Sequence, residues 1–263
     1  MQIGFIHEKK GDFEYLISPL LKDAGVLHCF TTKCGGCSKE HLSSLNLGLG
    51  RGDLKENLEK NFKVVFDALG FTGENLSITK QIHEDFAAVI KEPTLRSEGA
   101  DALITGEKNI PLMSYSADCV PILLYDKDKN IGAAIHSGWR STVKQITKRT
   151  IEKMAENFGT NPASVIAAIG PSIEKSCFQV GMEVYDAFSE TFSDLSFLEE
   201  DGDGIHFHAD LWEAIHITLI SSGVQEENIS LAGECTFCEE DKYFSSRRQK
   251  GKFGAMGAFI ELR

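Results

Sequence analysis

Two stretches in the middle of the chain are almost wholly apolar, 121–125 reading P-I-L-L-Y and 131–135 reading I-G-A-A-I. Each has the length of a strand, and the intervening D-K-D-K-N is polar enough to be a solvated turn, so together they predict a hairpin. Further strands are expected over 13–17, 26–32, a short segment starting at 77, 86–90 pairing with that segment, 99–105, 165–169, 229–233 and 256–262. Helical spacing sets in over 55–69, where Leu58, Phe62, Val65, Phe66 and Leu69 share one face and Gly70 stops the run. The pattern predicts three more helices: 141–158 with Ser141 or Thr142 as its cap, 181–192, and 210–222 capped by Asp210 and stopped at Gly223. Residues 243–248 read as extended, so Arg247 and Arg248 should point to opposite faces. No linker, repeat or low-complexity tract divides residues 1–263. The expectation is a single α/β domain with a mixed, largely antiparallel sheet flanked by helices.

Antiparallel pairing of the central hairpin carries chemistry. Cys119 lies just before its first strand and His136 just after its second, so both side chains reach the same end of the sheet. Two uses of such a pair are open. Cys119 could be a nucleophile with His136 as its base, or a third ligand could complete a metal site with one open position. His83, in T-K-Q-I-H, is the best third ligand. Unconnected residues, the cysteine packing as a small hydrophobe, would give the same spacing. Asp118, beside Cys119, is placed to act as a general base or to orient a ligand. Asp101 could hold a ligand histidine or serve as a turn residue.

Around this centre, the loop 44–53 crowds glycines with Arg51, which suits close approach of a phosphate, or is a plain turn. Ser137-Gly138-Trp139-Arg140 leads into a predicted helix, and a helix start with an adjacent arginine suits an anion, with Arg140 as the contact. Two C-x-x-C pairs, Cys34/Cys37 and Cys235/Cys238, would make a tetrahedral metal site if the fold joined them; reduced thiols are the alternative. His206 and His208 alternate on a short strand and read as exposed histidines.

Charge and composition narrow the classes. A formal charge of −12 argues against nucleic acid, which needs a basic face. The start lacks the features of a signal peptide, and no apolar run reaches the roughly 18 residues of a membrane span. Seven cysteines, an odd number, fit a reducing compartment, and the expected location is cytoplasmic. Eight histidines with no repeated H-x-H pairs leave little to hold several copper centres.

T-K-Q-I-H at 79–83, A-D-A-L-I-T at 100–105, S-A-D-C-V-P-I-L-L-Y-D at 116–126, A-A-I-H-S-G-W-R at 133–140, A-A-I-G-P-S-I at 167–173, and C-T followed by Y-F-S-S-R-R at 235–248 resemble the YfiH/LACC1 family over nearly the whole chain. The resemblance implies zinc, with copper as the other metal, bound by His83, Cys119 and His136. It implies an α/β fold shared with a bacterial toxin's Cys-His deamidase domain. It also implies an active site for purine nucleosides, to which Asn46 would belong; within it Asp118, Cys119, His136 and Arg140 are expected to be catalytic, and Asn46, Arg51, Gln81, Trp139 and Arg247 to bind substrate and phosphate. Trp139 could stack on a purine or plug the core. The expected reaction is phosphorolysis of adenosine or inosine, with adenosine deamination and methylthioadenosine phosphorolysis as further activities. A Cys-His amide hydrolase, a peptidoglycan editing factor and a polyphenol oxidase are the rivals. Two arginines common in the family are replaced here by Phe62 and Ala255. Nothing in the pattern sets an oligomeric state.

Overall fold

The computed structural model describes residues 1–263, except for the side chains at positions 96 and 97. Two seven-stranded sheets form its middle. One runs, in spatial order, Gln2–Ile3, Ile229–Leu231, Val165–Ile169, Val120–Asp126, Ile131–Ser137, Ala102–Thr105 and Ala87–Val89. The other runs Ile6–Lys10, Phe13–Ile17, Leu27–Thr31, Met256–Glu261, Leu112–Ser116, Ser77–Thr79 and Leu95–Ser97. A small antiparallel sheet of Gln179–Gly181, His206–Ala209 and Leu198–Glu200 lies apart from them.

The packing makes four layers. Leu103, Leu123, Ala134 and Ala168 of the first sheet meet Phe30, Leu112, Ala258 and Ile260 of the second in one core. The far face of the first sheet, through Ile104, Ile122, Leu124 and Ile169, packs on the helices Ile146–Phe158, Met182–Thr191 and Leu211–Ser221. The far face of the second packs Tyr15, Ile78, Met113 and Phe259 on Val65 and Phe66 of the helix Lys55–Leu69. Successive strand residues point to opposite faces. Strands covered on both sides must therefore be apolar throughout, which is why every position of Val120–Asp126 and Ile131–Ser137 is buried. Both strands were visible in the sequence for this reason.

The mixed, largely antiparallel α/β architecture is as expected, but four local readings change. The 87–89 strand pairs with Ala102–Thr105 in the first sheet, whereas Ser77–Thr79 pairs with Leu95–Ser97 and Leu112–Ser116 in the second. The helix expected over 141–158 is two helices, Trp139–Val143 and Ile146–Phe158, separated where Gln145 takes a left-handed backbone at φ 64°. Its first N-cap is Gly138, not Ser141 or Thr142, and Thr142 Oγ1 donates back to the Gly138 carbonyl. Residues Ser246–Gln249 form a short helix capped by Ser245 rather than a strand, because the Ser245 hydroxyl accepts from the Arg248 amide. Among the described residues, no helix is long and apolar enough to cross a membrane.

Candidate active site

The hairpin register sets Pro121 opposite His136 and Val120 opposite Ser137, so Cys119 and His136 emerge at one end of the first sheet. The neighbouring strand brings Asp101 to the same level: its carbonyl accepts from the His136 amide at 2.7 Å, and its Oδ1 lies 2.8 Å from His136 Nδ1. A carboxylate only accepts, so Nδ1 carries a proton, and Nε2 is the nitrogen that can serve as a ligand once it is unprotonated. The same carboxylate shapes the loop that carries His83. The amides of Ile82, His83 and Glu84 donate to its two oxygens at 2.8–3.2 Å, holding His83 at φ 60°. The ligand atoms of His83, Cys119 and His136 lie within 4.8 Å of one another, and the two imidazole rings are 4.8 Å apart in an edge-on arrangement. Gly138 closes one side. A Cβ there would stand 2.9 Å from both Cys119 Sγ and His83 Nδ1, closer than real contacts allow.

The electrostatics couple these side chains. Burial works against a charge on His136, but the neighbouring Cys119 and the Asp101 hydrogen bond overcome it and lift the imidazole to about 9. Burial and the neighbouring His136 charge push His83 the other way, so its lone pair is available. Burial likewise opposes ionisation of Asp101, yet the His136 hydrogen bond and the loop amides bring its carboxyl below the usual range. Two imidazoles, one thiolate, a carboxylate behind one imidazole and an open side form a donor set that fits zinc or copper.

These residues line a cavity of about 590 Å³. Of the sequence-derived residues, Arg51, Gln81, His83, Asp118, Cys119, His136, Trp139 and Arg247 line it. Arg51 lies 4.3 Å over the Phe253 ring and Arg247 5.3 Å over Phe178. The Gln81 amide is committed to the Tyr115 backbone, donating to its carbonyl at 2.7 Å and accepting from its amide at 2.9 Å. Asp118, at φ 88°, accepts from Thr236, from Ser245 and from the Arg247 amide, and so anchors the Ser246–Gln249 helix beside the cavity. Arg248 turns away to the carbonyls of Thr236, Phe237 and Tyr243.

Two residues stand back from the lining. Asn46 is fully buried, its amide donating to Asp53 and accepting from the backbone of Gly48 and Ala255, so it builds the Arg51 loop. Arg140 is exposed, its guanidinium 4.1 Å over the Trp139 ring. Tyr115, Phe178, Lys250 and Phe253 also line the cavity without having been singled out. Tyr115 lies four residues before Cys119, a proximity that could have flagged it. Phe62 faces a separate apolar groove, and Ala255 is buried against Gly48, so neither of the two replaced arginine positions lines this cavity.

The C-x-x-C pairs do not meet. Cys34 Sγ contacts the Asp241 carbonyl and Cys37 Sγ contacts Asn57, whereas Cys235 and Cys238 gather with Cys177. His206 pairs with Asp203 and His208 with the Lys175 carbonyl.

A chain from Bacteroides thetaiotaomicron called purine nucleoside phosphorylase is 37% identical over 242 residues, covering 88% of this chain and 89% of its own length. A protein of an unknown prokaryote called adenosine deaminase RL5 is 36% identical over 191 residues, covering 68% and 72%. The crystal structure of YlmD from Geobacillus stearothermophilus superposes with a TM-score of 0.91 at 28% identity, covering 98% of this chain and 99% of that one. The profile of the family described as multi-copper polyphenol oxidoreductase laccase matches residues 27–263, and the chain belongs to that family, the YfiH/LACC1 family.

Proposed function

We propose that this single-domain chain is a cytoplasmic, zinc-dependent purine nucleoside phosphorylase, converting adenosine or inosine and phosphate to the free base and ribose 1-phosphate, with adenosine deamination and methylthioadenosine phosphorolysis as further activities. The observation that carries the reading is one cavity in which the His83, Cys119 and His136 donor set shares walls with Arg51, Arg247 and the faces of Trp139, Phe178 and Phe253. About 590 Å³ is within the range of a pocket that encloses a small ligand. The names of its relatives, phosphorylase and adenosine deaminase, support the substrate class.

In phosphorolysis a phosphate oxygen bonds to C1′ of the ribose as the bond from C1′ to the base nitrogen breaks, its electron pair leaving with the base, which then takes a proton. Arg51 and Arg247 bring guanidinium forks to one cavity and would orient the phosphate, with Lys250 adding charge. The aromatic faces would hold the base. Asp101 fixes the His136 tautomer, and Asp118 keeps the helix bearing Arg247 in place. Zinc held by His83, Cys119 and His136 would supply Lewis acidity and activate water, chemistry suited to deamination.

The test is product analysis with adenosine, with and without phosphate, on the wild type and Cys119→Ala, alongside a metal count. Adenine and ribose 1-phosphate from the wild type alone, with zinc lost from this site in the variant, is the expected result. No turnover of any purine nucleoside would refute it. The contact of Cys119 with the charged His136 favours a second reading, a metal-free amide hydrolase with Cys119 as nucleophile. That reading requires rapid alkylation of Cys119 in the protein as isolated, whereas zinc would protect the thiolate.

A further inference from the structure

Cys177, Cys235 and Cys238 belong to no part of the mechanism above, yet their sulfurs lie within 4.8 Å of one another, with Cys177 and Cys238 at 3.3 Å. We propose that these three cysteines form a second metal site, separate from the active centre, that binds zinc through three thiolates and one water.

Two independent segments converge to make it. Cys177 ends the 3-10 turn Lys175–Cys177, and Cys235 and Cys238 have the C-x-x-C spacing of a tight turn, where the Glu239 amide donates to the Cys235 carbonyl at 3.0 Å. The segments are joined by a bridge between Ser172 and Cys235 and by the Thr236 amide donating to the Ser172 carbonyl. In a tetrahedral zinc site with bonds of about 2.3 Å, sulfurs stand roughly 3.8 Å apart. The Cys177–Cys238 separation is about half an ångström shorter than that figure and the remaining pairs lie within 4.8 Å, so small rotations of the thiol side chains suffice. Hydrogen-bond donors already gather at the turn. The Glu174 amide donates to Cys235 Sγ at 3.4 Å, and Arg248 places a guanidinium on the same turn by donating to the Thr236 and Phe237 carbonyls at 2.7 Å. On binding, three thiols release three protons to solvent and the cation takes three thiolates, leaving a net charge of −1 beside that guanidinium. Cys235 is buried and Cys238 exposed, so the fourth position faces solvent and is filled by water. A disulfide would engage only two of the three sulfurs and leave the third without a role.

The site's position gives it a consequence. Phe178, next to Cys177, lines the active cavity, and Thr236, next to Cys235, donates to Asp118 at 2.7 Å. Zinc here would pin two pieces of the cavity wall to each other without sharing a ligand with the first centre.

Reduced, chelator-stripped protein is reloaded with zinc sulfate, desalted and counted by elemental mass spectrometry. We expect two zinc ions per chain in the wild type, one in Cys119→Ala and one in Cys238→Ser, a surface substitution of nearly equal size. Cobalt loaded into Cys119→Ala should show thiolate-to-cobalt charge transfer, and Cys119→Ala/Cys238→Ser should lose it. Unchanged zinc in Cys238→Ser, or no cobalt–thiolate absorption in Cys119→Ala, overturns the proposal. One zinc in the wild type that Cys119→Ala keeps and Cys238→Ser loses would refute zinc at the first centre while upholding this one.

Discussion

Replacing Asp101 with asparagine tests whether one carboxylate builds two of the three ligand positions. It accepts four hydrogen bonds, from His136 Nδ1 at 2.8 Å and from the amides of Ile82, His83 and Glu84 at 3.2, 3.0 and 2.8 Å. Asparagine keeps one acceptor oxygen and turns the other into a donor. With its oxygen toward His136 and His83, the amides of Ile82 and Glu84 face an NH₂ group; reversed, His136 loses the partner that fixes its tautomer. Either way two bonds to an ionised acceptor disappear, each worth about 1.5–3 kcal/mol. The 82–83 stretch is exposed, so the loop can open to water and shed much of that cost locally. A global loss of about 1–3 kcal/mol remains, or a fall in Tm of roughly 2–10 °C for a chain of this size. Zinc affinity should fall about 10- to 100-fold, the usual effect of removing a carboxylate behind a metal-bound imidazole. Competition against a chromophoric chelator measures this directly, with calorimetry for the Tm. Affinity within twofold of wild type in a variant whose Tm has fallen would refute the reasoning, because the carboxylate would then matter to the fold and not to the ligands.

Three further outcomes are expected. Gly138→Ala should fold, since φ −79° suits alanine, yet lose most of its metal because the added Cβ meets Cys119 Sγ and His83 Nδ1 at 2.9 Å; a metal count and circular dichroism on one sample check both halves. His28 is held neutral by burial, pushed down to about 4, with Nε2 accepting from the Ser18 amide and Nδ1 donating to the Val26 carbonyl. Its folded pKa lies below its unfolded one, so the stability it contributes is complete above about pH 6.5 and is lost as pH falls toward 4. The loss is about 3 kcal/mol, visible as a declining denaturation midpoint that flattens in His28→Gln. Arg247→Ala removes a charge from the cavity while keeping the backbone bond to Asp118, and should raise KM for phosphate about 10-fold or more with a smaller change in kcat. Arg247→Lys should rescue it only in part, since an ammonium lacks the planar fork.

The parts of this site legible in the sequence were those written in unbroken apolar runs. The hairpin declared itself because its strands are buried on both faces, and the strand ends then placed Cys119 and His136 together. What covers those faces was not legible. Leu123 and Leu124 look alike in sequence, yet one meets a second sheet and the other a layer of helices. One expected sheet thus became two. Polar residues inside elements were equally silent: Asn61 lies in the Lys55–Leu69 helix and is fully buried, donating to Ser38 and to the Asn46 carbonyl and accepting from Cys37. An apolar-stripe reading passes over such a residue. Gln145 breaks a helix with neither glycine nor proline to announce it. Arg247 lines the cavity and Arg248 turns away from it through helical placement and not strand alternation.

The three candidate ligands are not held alike, and the difference bears on how the proposed centre would work. His136 ends a strand that is buried at every position, and Cys119 immediately precedes another, so both inherit the rigidity of the sheet. His83 instead sits in an exposed loop after a strand of the second sheet, in the left-handed backbone region at φ 60°, and its place depends on amide bonds to Asp101. A site spanning two sheets can close only if something registers one against the other. Asp101 does so, since its carbonyl and one oxygen hold His136 while its carboxylate gathers the loop of His83. Any motion that separates the sheets at this end must break those bonds before it moves the ligands apart. The three side chains line the cavity, so on the proposed function a substrate would approach without disturbing the two held by the sheet, and adjustment would fall to His83.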